Sequence, residues 1–148
     1  MDCVTCSIPV CRERDKRISL NMKPSNTTPL LSVRNLRVGL QTSHGQLEAL
    51  RGVDFEMQRG DTLGLIGESG CGKSLTALAI MGLLPERATV SGSIALNGTD
   101  LIQLSDEALC TLRGTRMAMI FQEPMTALNP LHPIWKQIAE PLQLHQGM

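Results

Sequence analysis

Eight consecutive residues carry the side chains and the spacing of a phosphate-binding loop. They are Gly67, Glu68, Ser69, Gly70, Cys71, Gly72, Lys73 and Ser74, and they match the pattern GxxxxGK[ST] at every fixed position. Glycine lets the main chain fold closely enough for successive backbone N–H groups to converge on phosphate oxygens. Lys73 is predicted to reach the β- and γ-phosphates, and the Ser74 hydroxyl is predicted to ligate Mg²⁺. The segment therefore predicts a site for a nucleotide triphosphate.

Two regular elements are needed to position this loop. Residues 62–66 form a short apolar run typical of a strand buried on both faces. The run after Ser74 is apolar almost all round, which predicts a buried helix that covers the sheet and is stopped by Pro85. The amino end of that helix would direct unpaired N–H groups and its positive dipole end at the anion. The alternative is a glycine turn that caps an ordinary helix, and the strand before the loop favours the phosphate site.

Composition narrows the classes of function. The chain has 148 residues, the size of one domain that can bury a core without disulfides. Acidic and basic residues number 14 each, so no overall field recruits nucleic acid or an anionic membrane surface. Three aromatic residues provide no platform on which bases could stack, and nucleic acid is therefore not an expected partner. No membrane span or secretory signal is present in the sequence, which predicts a cytosolic chain.

The amino-terminal residues 1–28 are predicted to be a loose leader, because they are polar and show no sustained periodicity. Five cysteines make an odd total that does not suggest a disulfide framework, so reduced thiols are expected. Cys3, Cys6 and Cys11 have a spacing that metal ligands sometimes show. No fourth ligand is near them, and a metal site is not favoured.

The other predicted elements surround the loop on both sides. Residues 31–40 and 47–57 alternate like two antiparallel strands joined by a turn at 42–45. A strand is predicted at 93–96, closed by Asn97-Gly98, and a helix is predicted from a Ser105 cap to about Arg113. A further strand is predicted at 117–121, ended by Pro124. An amphipathic helix is predicted from Ile134, with a kink at Pro141.

A longer string makes the family recognisable. Residues 119–130 read MIFQEPMTALNP, which resembles the Q-loop of ATP-binding subunits in ABC importers of the oligopeptide, dipeptide and nickel group. Residues 64–74 and 77–85 also resemble this group, and the likeness extends over about 30–147. It implies an α/β fold of the P-loop NTPase class. The expected domain is an ABC-type nucleotide-binding domain over 29–148, with an amino-terminal antiparallel β subdomain, truncated at the start of its helical subdomain.

The resemblance also implies roles for single residues. Gln122 would bring its side-chain oxygen to Mg²⁺ and to the attacking water, although it could instead simply end a strand at the surface. Gln122 and Lys73 are thus the predicted catalytic residues, and Ser74 and Gln122 the predicted metal ligands. Leu40 stands where many relatives stack adenine on an aromatic ring, so apolar contact remains and stacking is lost, unless Leu40 is an ordinary strand residue. Leu75 replaces a hydroxyl residue of many relatives, and only its backbone N–H would serve the phosphates.

Other family motifs do not occur before Met148. The sequence contains no LSGGQ-like signature, no apolar run that ends in Asp-Glu, no D-loop and no switch histidine. Asp106-Glu107 is better interpreted as negative charge in the first turn of a helix. Because the absent motifs would supply the glutamate that orients the attacking water, the chain alone is expected to bind nucleotide without useful turnover.

The sequence thus predicts the ATP-binding subunit of an ABC importer, for di- or oligopeptides, with ATP and Mg²⁺ as cofactors. Its expected partners are transmembrane permease subunits, a second ATP-binding subunit and, indirectly, a solute-binding protein, with residues 125–130 against the permease. The expected location is the cytoplasmic face of the inner membrane. One alternative is a truncated nucleotide-binding or interaction fragment that does not hydrolyse ATP. Another is a small-molecule kinase, which would need a phospho-acceptor pocket and lid arginines.

Overall fold

The computed structural model describes residues 28–43, 45–122 and 128–147. These residues divide into two compact units, one extending to Gln103 and the other beginning at Leu104. Almost all of the predicted leader, His44 in the first turn and residues 123–127 of the predicted Q-loop lie outside the described residues. In the described ranges no helix is long and apolar enough to cross a membrane.

The first unit is built on an antiparallel sheet of four strands. Strands β1 (Leu31–Thr42) and β2 (Gly45–Met57) pair directly, as the alternating pattern predicted. Strand β3 (Thr89–Leu96) pairs with the other edge of β1 and begins four residues before the predicted start. The two-residue strand β4 (Thr99–Asp100) follows β3, and the strand order is β2-β1-β3-β4. The amino-terminal antiparallel β subdomain is therefore present.

The core of this sheet lies on one face and depends on a bulge in β1. Val33, Leu36 and Val38 are fully buried, although strict alternation would place Val33 and Leu36 on opposite faces. A register shift between Val33 and Leu36 accommodates the extra residue. Asn35 occupies the bulge with a φ of 44°, and its backbone N–H donates to Asp54 Oδ1 at 2.9 Å. The bulge brings both apolar side chains to the core.

The turn after β3 has the predicted residues and a defined geometry. Asn97 and Gly98 have φ angles of 50° and 83°, the two positive values of a type I′ turn. The backbone N–H of Asn97 also donates to the carbonyl of Leu30 at 2.8 Å. This tight turn produces the short strand β4, which the sequence prediction missed because two residues carry no periodicity.

Helix α1 (Lys73–Met81) follows the glycine-rich loop and ends earlier than predicted. Gly82 stops it in the left-handed conformation, with φ 65°, whereas Pro85 lies beyond the end. The N–H of Leu83 donates to the Leu78 carbonyl at 2.9 Å, which completes a Schellman motif. The helix is only partly buried, because Ser74 is exposed and five of its nine residues are half-buried. Its buried residues are Thr76, Ala79 and Met81.

The predicted strand before the loop is wrong. Residues 62–66 have no regular secondary structure, and Ile66 is 84% exposed. A strand buried on both faces needs hydrogen-bonded neighbours on both sides, and the sheet of the described residues pairs only β1 to β4. The apolar run supplies the side chains of a buried strand, but no described strand pairs with it.

The second unit is mainly helical. Helix α2 (Asp106–Leu112) begins at the predicted cap, where Ser105 Oγ accepts a hydrogen bond from the Ala108 N–H at 3.3 Å. Asp106 and Glu107 occupy its first turn, as predicted from the favourable interaction with the helix dipole.

A short 3₁₀ turn at Leu101–Gln103 belongs to the first unit and packs against β3.

The prediction of a strand at 117–121 is also wrong. Residues 117–121 are irregular apart from one bridge between Met117 and Arg113, and Ile120 is 98% exposed. As with 62–66, an apolar run has no strand beside it within the described residues of its unit. Helix α3 (Ile134–Gln146) forms as predicted and contains Pro141, but Ile134, Ile138 and Leu142 on its predicted apolar face are exposed.

Candidate phosphate-binding site

The glycine-rich loop turns sharply into helix α1 through residues that adopt positive φ angles. Gly70 has φ 81°, and Gly72, the residue that precedes the first turn of α1, has φ 91° and ψ 5°. L-residues with a side chain pay about 1–2 kcal/mol for this conformation, whereas glycine adopts it freely. The structure therefore gives a conformational reason for two of the three glycines in the motif.

The third glycine is required by a side chain inside the loop. A methyl group added at Gly67 would lie 2.5 Å from the sulfur of Cys71, far inside van der Waals contact. Cys71 is 4% exposed, and its N–H donates to the Glu68 carbonyl at 3.3 Å. The loop thus closes around the Cys71 side chain, and Gly67 leaves room for the sulfur.

The ammonium group of Lys73 is folded back onto the loop. Its Nζ donates to the carbonyl of Gly67 at 2.8 Å and to the carbonyl of Glu68 at 2.7 Å, and it lies 3.4 Å from Cys71 Sγ. An ammonium has three donors, and all three contacts are to atoms of the loop. The side chain is therefore ordered against the loop, and the ammonium must exchange at least one of these loop contacts for a phosphate oxygen when an anion binds.

The amino end of α1 is suited to negative charge. Its first residues, Lys73, Ser74 and Leu75, include no carboxylate, and no capping bond from a side chain is found there among the described residues. The first backbone N–H groups of a helix have no intrahelical acceptor, and they carry the positive end of the helix dipole. Ser74 is exposed and Leu75 is half-buried. A phosphate group is an appropriate acceptor for these N–H groups.

Thr76 contacts the end of the phosphate loop, and the sequence patterns did not predict this role. It is completely buried, and its hydroxyl donates to the Gly72 carbonyl at 2.9 Å. The backbone N–H of Thr76 donates to the same carbonyl at 2.8 Å. Threonine is known to bond the carbonyl four residues earlier in helices, so its position one turn into a predicted helix was an available signal.

Two other predicted site residues, Leu40 and Gln122, lie outside the loop. Leu40 is half-buried on β1, opposite Leu47 of β2, so its role beside the adenine stays a prediction. Gln122 is exposed and belongs to the second unit, and its role at Mg²⁺ also stays a prediction. An open pocket of about 340 Å³ on the first unit's sheet involves neither residue. It is lined by Arg37, Gly39, Gln46, Glu48, Thr89, Val90 and Ser91.

The contact between Gly67 and Cys71 predicts a rescue experiment. Gly67→Ala is expected to distort the loop and to weaken nucleotide binding by about tenfold or more, as overpacking of a close contact typically costs about 1–3 kcal/mol. Adding Cys71→Ala to it removes the sulfur and should restore most of the binding. Cys71→Ala alone is the matched control. Calorimetric titration with ADP measures all three variants, and a double variant no better than Gly67→Ala would contradict the proposed overlap.

Sequence comparisons relate this chain to known proteins. Residues 50–146 match the family model described as ABC transporter. The probable peptide ABC transporter ATP-binding protein y4tR of Sinorhizobium fredii is 47% identical over 118 residues, which cover 78% of this chain and 35% of that protein. The oligopeptide transport ATP-binding protein OppD of Salmonella typhimurium is 44% identical over 125 residues, which cover 84% of this chain and 37% of that protein.

A third relative is the peptidoglycan transport ATP-binding protein YejF of Agrobacterium fabrum. It is 48% identical over 129 residues, which cover 86% of this chain and 24% of the relative. The chain therefore spans between about a quarter and a little over a third of the length of these curated relatives.

Proposed function

This chain belongs to the ABC transporter family, and from that premise we propose that it forms the ATP-binding part of an importer for di- or oligopeptides. The names of the three relatives refer to peptide, oligopeptide and peptidoglycan transport, so two of the three name a peptide or an oligopeptide. ATP binding would occur at residues 67–74, and hydrolysis in the assembled transporter would drive movement of the cargo.

The single observation that carries the proposal is the conformation of the loop around Lys73. The ammonium lies within 2.8 Å of two loop carbonyls, and the loop leads directly into the uncapped amino end of α1. Positive charge and unpaired N–H groups are thus concentrated in one short segment. A polyphosphate offers the matching acceptor oxygens, and when it binds, the Lys73 ammonium would exchange loop contacts for phosphate oxygens.

The hydroxyl oxygen of Ser74, which is exposed in the first turn of α1, fits Mg²⁺. Gln122 belongs to the second unit, and the resemblance of residues 119–130 to the Q-loop is what suggests its amide oxygen as a further ligand. Both are hard neutral ligands of the kind that Mg²⁺ accepts together with water and phosphate oxygens. We propose Ser74 and Gln122 as the protein's contributions to this ion. When bound, the ion would neutralise charge on the β- and γ-phosphates.

The proposed assembly includes partners that the family implies. Transmembrane permease subunits would contact the segment 125–130, a second ATP-binding subunit would complete the nucleotide site, and a solute-binding protein would deliver cargo indirectly. The ATP-binding part would then act at the cytoplasmic face of the inner membrane. Leu40 is proposed to contact the adenine through apolar surface, with the phosphates held by the loop.

Calorimetric titration of the full chain with nucleotides tests the proposal. ATP with Mg²⁺ and ADP with Mg²⁺ should bind at least about tenfold more tightly than AMP, since charge-assisted hydrogen bonds to the β-phosphate are worth about 1.5–3 kcal/mol. Phosphate release by the chain alone should stay at background, because its sequence contains no signature motif and no Asp-Glu pair after an apolar run.

Absence of ATP binding by the folded chain would refute the proposal. Sustained hydrolysis would instead show that other residues orient the attacking water, and would refute the part that concerns turnover. The cargo is tested in cells, where loss of the gene should abolish uptake of a labelled tripeptide and leave uptake of free amino acids unchanged.

A further inference from the structure

We propose that Thr76 is a positioning residue for the phosphate site and that its hydroxyl sets the direction of the Lys73 backbone N–H. This inference rests on the proposed function, because it concerns how the same loop grips a phosphate. It assigns a role to a side chain that cannot touch the nucleotide, since Thr76 is completely buried.

The starting point is the missing cap of helix α1. Most helices begin with a side chain that accepts hydrogen bonds from the first N–H groups and holds the first turn in place. Here the capping position is Gly72, which has no side chain, and no capping bond from a side chain occurs within the described residues. Glycine is also the residue with the greatest backbone freedom. The first turn therefore needs another constraint.

The Gly72 carbonyl receives that constraint. It accepts one hydrogen bond from the Thr76 N–H at 2.8 Å, as any helical carbonyl would, and a second from the Thr76 hydroxyl at 2.9 Å. The carbonyl of Gly72 and the N–H of Lys73 belong to one planar peptide unit and point in opposite directions. Two bonds that anchor the carbonyl therefore fix the direction in which the Lys73 N–H leaves the helix.

Packing alone does not account for the hydroxyl. Valine has nearly the same shape as threonine, and burial of a hydroxyl is unfavourable unless it finds a hydrogen-bond partner. The ladder of the helix already satisfies the Gly72 carbonyl through the Thr76 N–H. The hydroxyl bond is thus additional to what the helix requires. It restrains the peptide unit between Gly72 and Lys73, where the phosphate loop meets the helix.

The test compares two substitutions at this position in the full chain. Thr76→Val removes the hydroxyl and keeps the shape, and Thr76→Ser keeps the hydroxyl and removes a methyl group. Titration with ADP and AMP gives the ratio of their dissociation constants. This ratio measures the contribution of the β-phosphate to binding, separately from contacts with the rest of the nucleotide. Thr76→Val should lower this selectivity by about fivefold, the factor that one hydrogen bond of ordinary net strength is worth. Thr76→Ser should stay within about twofold of the unchanged chain.

Met81→Leu is the matched control, because Met81 is a buried residue of the same helix and the substitution conserves volume. It should leave the ADP-to-AMP selectivity unchanged even if it lowers the melting temperature. Unchanged selectivity in a folded Thr76→Val chain would overturn the inference, and so would equal losses in the valine and serine variants. Should the valine variant not fold, a serine variant that loses selectivity would overturn it just as well. An unchanged chain that binds neither ADP nor ATP would instead refute the proposed function, and the inference with it.

Discussion

Replacement of Lys73 by alanine is expected to weaken binding of ATP with Mg²⁺ by about 10- to 100-fold. The ammonium is the charged group that the loop already holds, with contacts of 2.8 Å and 2.7 Å to the carbonyls of Gly67 and Glu68. Its removal deletes charge-assisted hydrogen bonds to the phosphates, each worth about 1.5–3 kcal/mol. It also exposes a bound anion to loop carbonyls that the ammonium no longer neutralises.

Two comparisons make this result specific. Lys136→Ala is the matched control, because Lys136 carries the same charge on α3, where its ammonium lies 5.7 Å from the centre of the Trp135 ring. It should leave nucleotide binding unchanged. Lys73→Arg should recover only part of the affinity, since a planar guanidinium does not replace a compact ammonium between two carbonyls. Calorimetry measures the ATP affinity of variants that circular dichroism shows to be folded. Undiminished ATP affinity in Lys73→Ala would contradict a phosphate site at Lys73.

The largest expected effect on stability comes from Gly92, which lies in β3 opposite the bulge of β1. Its φ is 98°, and a methyl group added there would lie 2.5 Å from the Arg34 carbonyl oxygen and as close to that of Asn35. Both obstacles are backbone atoms, so they move only if the pairing of β1 with β3 changes. Gly92→Ala should therefore lower the free energy of unfolding by about 3 kcal/mol or more, from conformational strain and overlap together.

Gly60→Ala separates the two causes. Gly60 has φ 90°, nearly the angle of Gly92, but a methyl group there would meet nothing within 4 Å among the described residues. Its substitution should cost only the conformational strain, about 1–2 kcal/mol. Urea denaturation of both variants measures the difference. If Gly92→Ala proved no less stable than Gly60→Ala, steric overlap with the bulge would not be what requires glycine in β3.

Several features of the chain were predictable from sequence because they depend on neighbours along the chain. Alternating side chains predicted the hairpin of β1 and β2, and Ser105 followed by two acidic residues predicted the start of α2. The phosphate-loop pattern and the string at 119–130 predicted the family that the comparisons show. The end of α1 was also encoded locally, at Gly82 rather than at the predicted Pro85, because glycine is the usual residue after the last turn of a helix.

Other features depended on groups that are distant in sequence, and only the folded chain determined them. Residues 62–66 and 117–121 have the composition of strands, but a strand exists only where a neighbour accepts and donates its backbone hydrogen bonds, and composition does not specify that neighbour. The bulge at Asn35 depends on Asp54, and the need for glycine at 92 depends on that bulge.

The motif alone therefore predicted that a polyphosphate binds at residues 67–74, because glycine conformations, one ammonium and a helix start are encoded locally. The tertiary structure decided how that loop is supported: Cys71 fills its interior, and buried Thr76 anchors its last carbonyl. The physical reason is that a spacing pattern specifies which backbone groups can reach a ligand, whereas burial and hydrogen bonding specify which of them are held in place.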